Sequence, residues 1–141
     1  MRGKLNINSL IYKKQMNSSI EVNGIKITVI AREVYKDNEK YQIKISNKTD
    51  KTILIDTGNK ANGITLTANG MEYNSNVREL ASFLRTVNAG FTRTITLKFN
   101  KIYSVKADPQ GITFTDIVPD YEKYQQKSNE AKERIKISVS L

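Results

Sequence analysis

The sequence predicts an all-β domain built as an antiparallel sandwich, and three observations carry that expectation. Apolar residues alternate with polar ones over Tyr41–Ser46, the period-two pattern of a strand with one buried face. Asn-Gly stands at 23–24 and again at 69–70, between such stretches. It is a strong hairpin signal, because a type I′ turn needs positive φ at both central residues. Strand-like stretches recur roughly every 8–12 residues with turn residues between them, the spacing of a sandwich or barrel.

Taken in order, residues 1–18 are mostly polar, with a short apolar patch at Leu10, Ile11 and Tyr12. They read as a leader or linker with an edge strand at its end, and the single sandwich domain runs over 19–141. Ile20 and Val22 enter the Asn23-Gly24 turn. Ile25, Ile27, Val29 and Ala31 then alternate with Lys26, Thr28, Ile30 and Arg32, which places Arg32 on the polar face. Lys36-Asp37-Asn38-Glu39 reads as a polar turn. Tyr41, Ile43 and Ile45 form the next inward row, closed by a turn at Asn47–Asp50. Ile53-Leu54-Ile55 is a short apolar strand that ends in Asp56-Thr57-Gly58. Ile64 and Leu66 lead to the second Asn-Gly, and Met71 and Tyr73 return from it.

The period then changes. Val77, Leu80, Ala81 and Leu84 have helical spacing, and Asn76 with Glu79 resembles a capping box, so one short helix is expected at about 77–85. Asn88-Ala89-Gly90 is a turn, and Phe91, Ile95, Leu97 and Phe99 begin and line a long strand. Ile102, Tyr103 and Val105 suggest a shorter one. Asp108-Pro109-Gln110-Gly111 reads as a β-turn, followed by a strand through Ile112, Phe114 and Ile117. Residues 120–133 are so polar that they read as a weak helix or a mobile excursion. Ile135, Ile137, Val139 and Leu141 make a last alternating strand. The whole is an immunoglobulin-like sandwich of eight or nine strands, without internal repeats.

Size and composition suit one domain. A chain of 141 residues buries roughly two thirds of its unfolded surface and needs no metal or disulfide to fold. It has no Cys and no His. Cysteine nucleophiles, Ser-His-Asp triads, disulfide redox chemistry and Cys- or His-based zinc sites are thereby excluded. No catalytic residue, metal or cofactor is expected.

The formal net charge is +9, which draws a protein toward polyanions. The excess lies mainly in residues 1–60, with 12 basic against 6 acidic side chains. It is spread along strands, as on a generally basic, solvated surface. No stretch approaches the ~18 apolar residues of a membrane span, and Met1–Asn6 lack an apolar signal core. Two settings follow: a cytoplasmic protein, or a domain whose signal or anchor lies upstream.

Three constellations invite sharper readings. An apolar run ending in Asp56-Thr57-Gly58 resembles the catalytic strand of retropepsin-like aspartic proteases, where two carboxylates share a proton across a dimer. Asn59 stands where that family has a small residue, and Thr113–Val118 lacks the supporting Gly. This is a remote alternative; a strand end with a polar turn is the ordinary one. Asp56, Asn59 and Asn62 could hold a hard cation, but one carboxylate is poor charge for that. Tyr12-Lys13-Lys14, Tyr35-Lys36, Lys40-Tyr41 and Lys101-Ile102-Tyr103 could stack and pair with nucleic acid, although Tyr41 falls in phase with the core row.

Residues 33–99 resemble the telokin-like, immunoprotective-antigen-like immunoglobulin domains of lipoproteins and membrane-tethered proteins of Gram-positive bacteria. The resemblance rests on Tyr41–Ile53, on Asn69-Gly70-Met71-Glu72-Tyr73, on Leu80–Leu84, and on Asn88-Ala89-Gly90-Phe91 running to Phe99. It implies a setting outside the cytoplasm at the cell envelope, and a non-catalytic binding or scaffolding role toward a protein or envelope polymer. The basic alternative is a module for nucleic acid or teichoic acid. A sandwich offers unpaired edges to a partner, so the expected partner-binding residues are Leu10, Ile11, Tyr12, Lys13, Lys14, Ile137 and Val139.

Overall fold

The computed structural model describes residues 10–100 and 108–141. Its strands are β1 (Leu10–Val22), β2 (Ile25–Tyr35), β3 (Asn38–Asn47), β4 (Ile53–Leu54), β5 (Ile64–Ala68), β6 (Met71–Asn74), β7 (Thr86–Val87), β8 (Thr92–Asn100), β9 (Pro109–Ile117) and β10 (Ile135–Ser140). One short helix, α1 (Tyr121–Gln126), precedes the last strand. One sheet has the order β1-β2-β3-β8, the second β10-β9-β5-β6, and β4 pairs with β7. Every pairing is antiparallel. The expected all-β, immunoglobulin-like sandwich is the observed architecture.

The alternating rows supply the core. Ile25, Ile27, Val29, Tyr41, Ile43, Ile45, Ile95, Leu97 and Phe99 face Leu66, Ala68, Ile112, Phe114, Ile137 and Val139 in one buried cluster. Tyr41 and Phe99 meet edge to face, ring centroids 5.7 Å apart, the arrangement their quadrupoles favour. Both Asn-Gly turns form as expected, with φ of 51° and 82° at Asn23 and Gly24, and 53° and 72° at Asn69 and Gly70.

The two flanks differ. On one, Ser75 bridges Phe99, the Asn76 amide donates to the Lys98 carbonyl at 3.0 Å, and the Lys98 amide donates to Asn76 Oδ1 at 2.9 Å. These bonds stitch the two sheets together. On the other flank β1 and β10 lie side by side, and no ladder joins them among the described residues.

Several local expectations are corrected. The edge strand expected at the end of residues 1–18 is the first half of β1, which crosses the expected boundary at residue 19 and pairs with β2 with two register irregularities. Polarity misled because β1 is an edge with little to bury. Asn38 and Glu39 belong to β3 rather than to a turn, and both are buried. Pro109 opens β9 instead of sitting in a turn, a position where its missing N–H is tolerated.

Residues 77–85 form two 3₁₀ turns, Val77–Glu79 and Ser82–Leu84, not a helix. Asn76 spends its side chain on β8 rather than on a cap, and the extended backbone of Leu80 and Ala81 separates the turns. Only Tyr121–Gln126 of the 120–133 stretch is helical, started by Asp120 Oδ1 accepting from the Lys123 amide at 3.2 Å. The strand expected at 102–105 lies outside the described residues.

Asn47, read from sequence as a turn residue, ties one end of the sandwich. Its Nδ2 donates to the Lys51 and Val87 carbonyls at 2.7 and 2.9 Å. Its Oδ1 accepts from the Thr49 amide and hydroxyl at 3.0 and 2.7 Å. One buried side chain thereby fixes the exits of both β3 and β7.

Candidate functional site

The partner-binding residues expected from the sequence separate into two groups. Leu10 and Ile11 are each 50% exposed, Tyr12 is 36% exposed and Ile20 39%. Lys13 and Lys14 are exposed as well. Ile137 and Val139, by contrast, are 1% exposed and belong to the core, so their side chains are not available to a partner. The strand was identified correctly but its faces were not: Lys136, Ser138 and Ser140 are the exposed row of β10.

A two-residue type I′ turn makes its flanking residues, Val22 and Ile25, a hydrogen-bonded pair, and bonding then alternates along the ladder. Glu21 and Ser19 stand opposite Lys26 and Thr28. Their backbone N–H and C=O therefore point away from β2, toward the free edge. Register irregularities lie between Leu10 and Tyr12 and between Gln15 and Ser18, devices that twist an edge.

A third irregularity, between Val29 and Ala31 of β2, corrects the placement of Arg32. The extra residue reverses the alternation, so Arg32 comes opposite Tyr41 and turns inward. Its Nε and Nη2 donate to the two carboxylate oxygens of Glu39, each at 2.9 Å, and its Nη1 donates to Tyr12 Oη at 2.8 Å. Tyr41 Oη donates to Glu39 Oε1 at 2.7 Å. Burial works against the Arg32 charge, but the Glu39 hydrogen bonds prevail and hold its proton more tightly than usual. This buried pair links β1, β2 and β3 beneath the exposed end of β1.

Asp56, the carboxylate singled out in the sequence, is fully buried. Its Oδ2 accepts from the Gly58 amide at 2.9 Å. Its Oδ1 has no hydrogen-bond partner among the described residues and faces Gly63, where an added Cβ would lie 1.8 Å away. Asp116 is buried nearby. It accepts from the Thr57 amide at 3.2 Å, from the Thr57 hydroxyl, and from Arg134 Nε at 3.0 Å. Arg134 lies over the Tyr124 ring at 5.3 Å, and Tyr124 Oη accepts from Asn59 Nδ2 at 3.1 Å. The cluster fastens the 120–134 excursion to the end of β9. Asn59 is thus engaged by Tyr124, and among the described residues no group of three His, Cys, Asp or Glu side chains is placed to hold a metal. A carboxylate that activates a substrate water must meet solvent, and Asp56 has no exposed surface.

Burial first, and the Asp116 charge second, push the Asp56 carboxyl above its ordinary range. A raised folded pKa favours the protonated form, so this group's stabilising contribution is complete below the unfolded carboxylate pKa, about 3.9. It is lost as pH rises through the folded value. Asp56→Asn keeps an acceptor for Gly58 and removes the titration. Its stability relative to the parent is expected to improve from about pH 4 until the folded carboxyl has titrated and then to level off, measured by urea unfolding at each pH. A pH-independent difference would contradict this.

Of the aromatic candidates, Tyr41 is core, as its phase indicated. Tyr35 is partly covered by Lys40, whose Nζ lies 4.9 Å from the ring centroid, and donates to Glu33 at 2.9 Å. Tyr103 and Lys101 lie outside the described residues.

No protein-family model matches the chain, and no curated protein matches it. The solved structures that share the fold include two of low identity. One is a functionally unknown protein from Listeria monocytogenes EGD-e, with a TM-score of 0.58, 14% identity, and coverage of 94% of this chain and 86% of that one. The other is the yjhA protein from Bacillus subtilis, with a TM-score of 0.53, 14% identity, and coverage of 90% and 98%. At this identity the likeness concerns the fold alone.

Proposed function

We propose that the chain is a non-catalytic binding domain of the cell envelope, working outside the cytoplasm, which takes an extended partner segment along the free edge of β1. The observation that carries this is the edge itself. β1 is a 13-residue strand with a ladder on one side only among the described residues, and it displays Leu10, Ile11, Tyr12 and Ile20. Unpaired backbone gives affinity in strand addition, and alternate side chains give selectivity.

Ser19→Pro isolates this edge. It removes an outward N–H while leaving the β1–β2 bonds in place. An envelope protein or wall polymer retained by the immobilised parent should be lost by Ser19→Pro, with the unfolding midpoint unchanged. Equal retention by both forms would move the binding surface elsewhere.

A second reading has its own observation. The outward face of the first sheet carries Lys26, Lys40, Lys44 and Lys98 beside Lys13, which suits a polyanion such as nucleic acid or teichoic acid. Affinity on that face falls steeply with salt and is indifferent to Ser19→Pro, so the same two proteins measured across a salt series separate the readings.

A further inference from the structure

We infer that the outward face of the first sheet takes a base-free phosphodiester polymer of the polyol-phosphate kind, laid across the strands along Lys26, Lys44, Thr96 and Lys98. This rests on the basic-face reading and names its ligand.

The two faces of the sandwich differ in charge. Lys13, Lys26, Lys40, Lys44 and Lys98 point outward from the first sheet, with Glu21 and Glu33 among them. Both acids are engaged, Glu21 by Lys48 at 2.8 Å and Glu33 by Lys13 at 3.9 Å. Lys44 and Lys98 stand in no ion pair among the described residues. Outward from the strands of the second sheet, Lys136 and Glu72 carry the only charges among the described residues. The positive excess is thus displayed on one broad face, and that face attracts an anion.

The register sets a track. Lys26 is diagonal to Lys44 across β2 and β3, and Lys44 is diagonal to Thr96 across β3 and β8. Diagonal neighbours lie roughly 7–8 Å apart. Lys98 follows Thr96 by two residues, roughly 7 Å along the strand. Three cations and a hydroxyl therefore recur in near-equal steps across three strands. Lys40 stands directly opposite Lys98. Like charges so placed destabilise a sheet, and a phosphate between them turns the repulsion into two attractions.

The same face offers nothing to a base. Proteins that hold single-stranded nucleic acid add exposed aromatic rings to a basic track. Tyr35 is the aromatic side chain on this face among the described strands. Its ring is covered by Lys40 at 4.9 Å, and its hydroxyl donates to Glu33. Tyr12 lies on the core side, its ring against Arg32. Phe91, just before β8, has the parity of the inward row of Ile95, Leu97 and Phe99. Thr28, Gln42, Ser46, Thr94 and Thr96 lie between the lysines instead. Such side chains both donate and accept, which suits hydroxyls spaced between phosphates. The cations are lysines, rotatable point charges that grip phosphate without the planar geometry Arg imposes.

The test measures binding of the full chain to poly(glycerol phosphate) and to a mixed-sequence single-stranded oligonucleotide with the same number of phosphates, each over a salt series. Poly(glycerol phosphate) should bind at least as tightly as the oligonucleotide, with affinity that falls steeply as salt rises. Lys44→Glu and Lys98→Glu should each weaken binding and lower the salt slope by about one. The unfolding midpoint of Lys98→Glu should not fall, since the substitution removes a like-charge pair. Lys136→Glu makes the same charge change on the other face and should leave affinity and slope near the parent's. A single stacked base favours the oligonucleotide by about fivefold or more. An oligonucleotide that binds the more tightly would overturn the inference and leave the basic-face reading standing. Equal losses in Lys136→Glu and Lys44→Glu, or no salt-dependent binding of either polymer, would overturn both.

Discussion

Glu39→Ala is expected to lower the unfolding free energy by about 3–5 kcal/mol, the cost of leaving a buried charge without its counter-ion. Arg32 is 3% exposed and gives two of its donors to Glu39. Tyr41, fully buried, loses the acceptor for its hydroxyl at the same time. The cost is the desolvated guanidinium and the lost hydroxyl bond, not the Coulomb energy of the pair. Replacing both charges should therefore be milder: Arg32→Met with Glu39→Leu should recover most of the loss, since a well-packed apolar pair often equals a buried ion pair. Urea unfolding of the parent, both single variants and the double variant measures this. A single-variant cost under about 1 kcal/mol, the range of a solvated pair, would show that the pair is hydrated.

Gly63→Ala should cost about 3 kcal/mol, at the upper end of overpacking penalties. The reason is geometric, since the new methyl would sit 1.8 Å from Asp56 Oδ1 and 2.9 Å from its Cγ. Neither side can yield easily. Gly63 gives its carbonyl to the Thr115 amide at 2.8 Å, and Asp56 is held by Gly58. Truncating the carboxylate makes room, so Asp56→Ala combined with Gly63→Ala should be less destabilised than the two costs added, by more than about 1 kcal/mol of coupling. Additive costs would place the methyl somewhere other than against Asp56. The pair also accounts for Gly directly before β5 without appeal to its backbone freedom.

Much of the fold was legible because its determinants are local. Alternation at Tyr41–Ile45 and Ile95–Phe99 reported which face each strand buries, and the two Asn-Gly pairs reported where the chain reverses. These patterns act through period-two geometry and positive φ, which need no distant partner. Arg32 shows where that stops. Up to Val29 the alternation holds, but the irregularity before Arg32, visible only in the pairing of β2 with β3, turns a charged residue inward. Val77–Leu84 shows the opposite failure. Its helical spacing is real, but Asn76 is claimed by β8, and tertiary bonds outrank a weak local preference.

The candidate site divides along the same line. The sequence by itself determined that Leu10–Tyr12 is an edge and that Asp56 ends a strand. Only the tertiary structure decided that Ile137 and Val139 face the core and that Asp56 is sealed against Gly63. It also decided that β1 runs 13 residues and, among the described residues, has a ladder on one side only. A residue's spacing sets which side of its own strand it occupies. Whether that side meets protein or water depends on what the rest of the chain lays across it.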